Sequence, residues 1–313
     1  MRIFYLILFL INFSIFSQTI QFNDSIKEYV DFLNKEKYLS PKEYIFKQFE
    51  TNDIVILSER HHADTTQYEL IISIIKDNRF KGAIYTEVGI FNSLKLINQF
   101  LLKENLTKNE RKQSLLAVYR DIDFYIVWEK YNYYDLLSSI YDINQHRKKE
   151  EKIFLIPLDV EFHWDKLKNH EQYQLFDDYT DNNIIDRDLQ MGKHFVKAYS
   201  YLSNKYPNKK KALVILNVYH GYTRIPTFSP LPTRPDIYSS AEYIYKTYPN
   251  KTKGILINTV NYVKKELVEK GKWDAAFKLT GNKVKLGIPS KKGWKKGLVK
   301  IVISVSGYLL LRF

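Results

Sequence analysis

The stretch Ile54-Val55-Ile56-Leu57-Ser58-Glu59-Arg60-His61-His62 sets four uninterrupted aliphatic residues directly before a group of ionisable ones. Continuous apolar character, without alternation, suits a strand buried on both faces, as in a parallel sheet covered on each side by helices. Similar runs recur at 83–85, 153–156, 212–216 and 254–259. Helical patterns lie between them. Residues 67–76 read QYELIISIIK, with Leu70, Ile71, Ile74 and Ile75 at helix-face spacing and Asp64 or Thr65 as N-cap. A longer helical pattern, broken at least once, covers 108–149, with Leu115, Leu116, Tyr119, Leu136, Leu137 and Ile140 as core candidates. Strand alternating with helix predicts an α/β fold: a mostly parallel sheet flanked by helices, its site at the carboxyl ends of the strands.

The residues just after each run give that edge its chemistry. The first run leads into Glu59, His61 and His62, the second into Thr86-Glu87, the third into Asp159, Glu161 and His163, and the fourth into Asn217-Val218-Tyr219-His220. In an open parallel sheet these strand ends share one crevice, so four strands deliver carboxylates and imidazoles to one place. A base near neutrality, with carboxylates to orient it or hold a cation, is what a hydrolytic or metal-binding site needs. Taken singly, each Glu reads as a helix cap or a partner for a surface Arg; their joint occurrence favours a site. Asp186-Arg187-Asp188 opens a further helix running through Tyr199, where an acidic residue suits the helix dipole and Arg187 can grip a carboxylate. His146 reads as a solvated helix end, and His170 and His194 lack strand-end context.

Composition narrows the classes. The 313 residues are 45% hydrophobic and 27% charged, which excludes a disordered chain. There is no cysteine, so disulfide frameworks, zinc ribbons, iron–sulfur clusters and thiol nucleophiles are excluded, and any metal must use His and carboxylate. The net charge of +13 is local: residues 264–313 hold 13 Lys and Arg against Glu266, Glu269 and Asp274, a balance of +10, leaving about +3 elsewhere. That distribution argues against a nucleic-acid groove. The G-x-S-x-G, H-E-x-x-H, G-x-x-x-x-G-K and G-x-G-x-x-G signatures are absent.

Arg2, the apolar run 3–16 and Ser17 have the form of a secretory signal peptide over 1–17, with an uncleaved anchor as the alternative; export to the periplasm or exterior follows. A single domain is expected over 18–284. Residues 285–313 form a basic and then apolar tail with no assigned role, and the two ends are where membrane contact is expected. Within the domain, four of the nine prolines fall in 226–236, a stiffened loop flanked by Arg224 and placed to roof the crevice.

These residues resemble a family. Ser58-Glu59-Arg60-His61-His62 is similar to the G-E-x-x-H motif of the erythromycin esterase-like proteins, in the superfamily that also holds the ChaN-like haem-uptake proteins and the Tiki peptidases. Glu87 resembles that family's glutamate after the second strand, Arg187-Asp188-Leu189-Gln190-Met191 its R-D-x-x-M helix start, and His220 its histidine after a later strand. The likeness spans about residues 50–225. Ser58 stands where glycine is usual. Ile215-Leu216-Asn217-Val218-Tyr219-His220 replaces the W-A-H-N-x-H signature of the true esterases, which counts against macrolide hydrolysis itself. The esterase-like register selects His62, the ChaN-like register His61.

The resemblance implies an exported hydrolase that activates water for attack on an ester, lactone or amide of a small-molecule or peptide substrate. His62 would be the general base, Glu59 and Glu87 its orienting groups, and His220 a carbonyl-polarising group or second ligand. Arg187, Asp188 and Arg224 would line the substrate pocket; Asp159 is a weaker candidate. The metal stays open, a divalent ion suiting the His and carboxylate set. Two rivals remain. One is a ChaN-like protein binding haem or another flat ligand, with Tyr219 beside His220 on the iron; the other is a degenerate scaffold without catalysis.

Overall fold

The computed structural model describes residues 24–35, 39–59, 62–122, 130–182, 184–221, 239–257, 262–263, 266–267 and 272–280. The 1–17 segment, His61, Arg224, the proline-rich 226–236 loop and the 285–313 tail lie outside the described residues. In chain order the elements are α1 (Asp24–Lys35), α2 (Pro41–Thr51), β1 (Ile54–Glu59), α3 (Thr65–Lys76), β2 (Ala83–Ile90), α4 (Leu94–Leu101), α5 (Lys108–Asp121), α6 (Lys130–Gln145), β3 (Leu155–Asp159), α7 (His170–Asn182), α8 (Ile184–Lys205), β4 (Ala212–Asn217), α9 (Ser240–Thr247), β5 (Thr252–Leu256), β6 (Tyr262–Val263), β7 (Glu266–Leu267) and α10 (Lys272–Leu279).

Five strands pair in parallel in the order β3-β2-β4-β1-β5. Each grows from one of the five apolar runs, with shifted ends: β1 and β2 extend to Glu59 and Ile90, β3 begins at Leu155 rather than 153, and β5 covers 252–256. The absence of alternation has the expected cause. Val55, Leu57, Ile84, Leu213 and Ile215 pack on one face with the apolar stripes of α2 to α6. Ile54, Ile56, Tyr85, Val214 and Leu216 pack on the other with Met191, Phe195 and Tyr199 of α8 and Ile244 of α9. Pro157, which cannot donate to a ladder, sits in the edge strand β3.

Local chemistry sets the helix ends. The Asp64 side chain accepts from the Thr66 N–H and starts α3, and Thr107 with Glu110 closes a capping box on α5. The long 108–149 pattern is two helices, α5 and α6. Leu115, Leu136, Leu137 and Ile140 are buried, as is Val118, while Leu116 and Tyr119 are half-buried.

The sequence pattern draws one domain over 18–284; the chain groups by its contacts into two compact units. One comprises residues 37–261 and contains the sheet. The other takes α1 from one end of that span and β6, β7 and α10 from the other. In it Ile26, Tyr29, Val30 and Leu33 are buried at i, i+3, i+4 and i+7, the stripe α1 needs to pack against α10. Among the described residues no helix is long and apolar enough to cross a membrane.

Candidate functional site

Four neighbouring strands, β3-β2-β4-β1, carry or lead into buried carboxylates and imidazoles at their carboxyl ends. Glu59 is the last residue of β1, and His62 lies three residues on, its backbone carbonyl held by Asn132 Nδ2 at 2.8 Å. Glu87 sits where β2 breaks register with β3: Thr86 pairs with Pro157 and Ile90 with Asp159, a bulge that swings Glu87 out of the ladder. Gly89, at φ +107°, makes the bulge feasible, because a Cβ there would meet Pro157 Cβ at 2.9 Å. Beyond β4, a turn at 218–220 brings His220 back over the sheet. Ser58 keeps regular strand pairing with Leu216, and its hydroxyl donates to the Gly221 carbonyl at 2.9 Å. Serine is therefore accommodated where the resembling family has glycine.

The side chains form two carboxylate–imidazole pairs that converge on a third carboxylate. His62 Nδ1 contacts Glu59 Oε1 in an ion pair, and His62 Nε2 lies 3.5 Å from Glu87 Oε1. His220 mirrors this: its Nδ1 lies 3.0 Å from Asp188 Oδ2, and its Nε2 is 3.5 Å from the same Glu87 Oε1. Each carboxylate is anchored in turn. Gln67 Nε2 donates to Glu59 at 3.0 Å. The Asn217 N–H donates to Glu87 Oε2 at 2.7 Å. The N–H and hydroxyl of Ser240, at the start of α9, both donate to Asp188 Oδ1 at 2.6 Å. Arg187 lies 3.9 Å from Glu87 and grips Asp159 with two bonds, Nε to Oδ1 at 2.9 Å and Nη2 to Oδ2 at 2.6 Å.

Burial and charge pull against each other here. Burial drives the His62 imidazole toward neutrality, but Glu59 and Glu87 overcome it and raise its pKa to about 10. Burial likewise opposes charge on His220, yet Asp188 and Glu87 raise it to about 8. Burial pushes the Glu87 carboxyl up, and His220, His62 and Arg187 reverse this, holding it well below the usual carboxylate range. The reason is geometric. With each Nδ1 directed at a carboxylate, neutral rings would aim both Nε2 lone pairs at the Glu87 anion, so protons are retained there.

The predicted residues Glu59, His62, Glu87 and His220 are thus together. Arg187 and Asp188 are also present, but both are buried and engaged by Asp159, Glu87, His220 and Ser240. These contacts brace the cluster from within. Asp159, the weaker candidate, is integral, being fully buried and the anchor of Arg187. Sequence reasoning missed Gln67, Asn132 and Ser240. Only their positions near helix starts marked them, and that signal does not separate caps from site supports.

Among the described residues no group of three or more His, Asp and Glu side chains is arranged to hold an ion. Nor do Tyr219 and His220 face one iron: the Tyr219 side chain is exposed, while His220 is buried with its two nitrogens directed at Asp188 and Glu87.

No family model matches the chain, and no curated protein does. Among solved structures, the crystal structure of a Bacillus cereus protein is similar, with a TM-score of 0.43 and 13% sequence identity over 76% of this chain and 75% of that one.

Proposed function

We propose that the protein is an exported hydrolase that activates water between two imidazoles for attack on an ester, lactone or amide carbonyl. The observation that carries the reading is the convergence of His62 Nε2 and His220 Nε2 on one oxygen of Glu87. Export rests on the signal-like residues 1–17 alone, and the water chemistry agrees with the family resemblance carried by Glu59, His62, Glu87 and His220.

Carboxylates raise both imidazoles, so each can carry a proton at Nε2, one to be given up by the base and one kept by the donor. His220, the deeper ring, is assigned as the base, and His62 as the donor to the developing oxyanion, the reverse of the roles expected from the resemblance. His62 is also the most exposed member of the cluster, its side chain 10% accessible, and so the first to meet an incoming carbonyl. Water held against Glu87 transfers a proton to His220 Nε2 as its oxygen bonds to the carbonyl carbon. The oxyanion that forms faces the His62 N–H, and the proton on His220 passes to the departing alkoxide or amine. Asp188 and Glu59 fix the two rings, and Arg187 balances the charge of Glu87 and Asp159.

The test is hydrolysis of an ester, lactone and peptide panel by the mature protein across pH. Rate should rise through about 8, as His220 deprotonates, and fall toward about 10, as His62 does. Glu87→Gln keeps the acceptor for the Asn217 N–H but removes the charge facing both rings. It should lower kcat by about 100-fold or more. Full activity in that variant, or an inert wild-type protein across the panel, ends the proposal.

A further inference from the structure

The segment that leaves β3 carries features that hydrolysis at the charged cluster does not use. Trp164 is 45% exposed, unusual for a residue whose large ring is normally covered. Its indole lies nearly parallel to the Tyr173 ring, with centroids 5.9 Å apart and planes at 7°, and edge-on to the buried Phe162 at 4.8 Å and 84°. The His170 imidazole extends the parallel set, 6.1 Å from Tyr173 at 19°. Trp164 is therefore held by packing on two rings while leaving a face open. With Leu167, Lys168 and Asn169, these rings line a notch of about 460 Å³. The notch is open to solvent, so it offers a wall for a flat ring and not an enclosed cavity.

Charge narrows the ligand. Among the described residues that line the notch, Lys168 alone has a fixed charge, and the carboxylates of Asp165 and Glu171, its neighbours in the chain, are not among the lining groups. Parallel aromatic walls accept a flat ring by offset stacking, and a lone ammonium at the rim favours an anion. We propose that this notch binds a planar aromatic ring bearing an anionic group, the ring stacked on Trp164 and the anion paired with Lys168. Trp164 lies five residues after Asp159, an extended reach of at most about 18 Å. The notch thus lies within that reach of Asp159, and filling it requires no turnover.

Calorimetric titration of the full chain with 2-naphthoate, 2-naphthylmethanol and methyl β-glucoside tests the proposal. Naphthoate should bind, and Trp164→Ala should weaken it about tenfold, the loss of one stacked ring. Lys168→Ala should weaken naphthoate about threefold and leave the neutral alcohol unchanged. Both side chains are exposed, so the variants should melt with the wild type. Absence of naphthoate binding at about 1 mM, the range of weak single-site ligands, overturns the assignment. So does unchanged affinity in Trp164→Ala, or tighter binding of the glucoside. Because the readout is binding, its failure leaves the hydrolase reading standing, and an inert panel leaves the notch standing.

Discussion

The two edges of the sheet treat charge in opposite ways. At the amino edge, ions reach water: Lys81 pairs with Glu151, Lys211 with Asp53, and Arg79 with Glu43 and Asp77, all with at least one partner substantially exposed. At the carboxyl edge, Glu59, Glu87, Asp159, Arg187 and Asp188 are all buried. Removing an ion from water costs several kcal/mol even after relaxation, and a well-packed apolar replacement is often no less stable. Charges at the amino edge position turns cheaply. Those at the carboxyl edge persist against a folding cost.

The contrast is broken most strongly at Arg187. Arg187→Met removes the guanidinium and leaves Asp159 and Glu87 buried without it, at a cost of about 3–5 kcal/mol in urea denaturation. The double variant Arg187→Met/Asp159→Leu should recover part of that loss, because the stranded carboxylate goes too. A single variant as stable as the wild type would mean the buried pair does not carry the charge balance assigned to it.

Much of this edge was legible because two signals coincide in sequence: an unbroken aliphatic run predicts a buried parallel strand, and the residues just beyond it occupy the shared edge. Glu59, Glu87 and His220 are found directly from that rule. The supports are not, since Gln67 and Ser240 look like ordinary helix-start residues, and their partners lie 8 and 52 positions away in the chain. Asp159 does not stand out in the sequence because a carboxylate after an apolar run is common; only its contact with Arg187 distinguishes it. The division into two units was hidden for a related reason. The stripe on α1 announces that it needs a partner, but not that the partner is α10, more than 200 residues on.

One residue breaks the rule for the amino edge. Lys209 is buried, and its Nζ has no hydrogen-bond partner among the described residues; burial, then Arg147, lower its pKa to about 8, against weak opposition from Glu151 and Glu150. Lys209→Met should raise stability at pH 7 by about 1 kcal/mol. The pH dependence sharpens the point. His62 is raised above its usual value of about 6.5, so its contribution is complete below that pH and lost as pH rises through about 10. Lys209 is lowered from its usual value of about 10.4, so its penalty is complete below about 8 and relieved as pH rises toward 10.4. Between pH 8 and 10 the two slopes oppose each other. Urea midpoints should therefore fall more steeply in Lys209→Met than in the wild type, whereas parallel curves would remove the amine from the account.

The smallest effect belongs to Lys81, whose Nζ lies 2.8 Å from Glu151 Oε1 with its side chain 54% exposed. Water screens that pair and rehydrates either partner when the other is removed, so the contact decides little. Lys81→Met should leave the melting temperature within about 2 °C of wild type. Set beside Arg187→Met, it separates two explanations of the buried cluster. If losing any cation were harmful to so basic a chain, the two variants would suffer alike; if burial sets the cost, only the carboxyl edge responds.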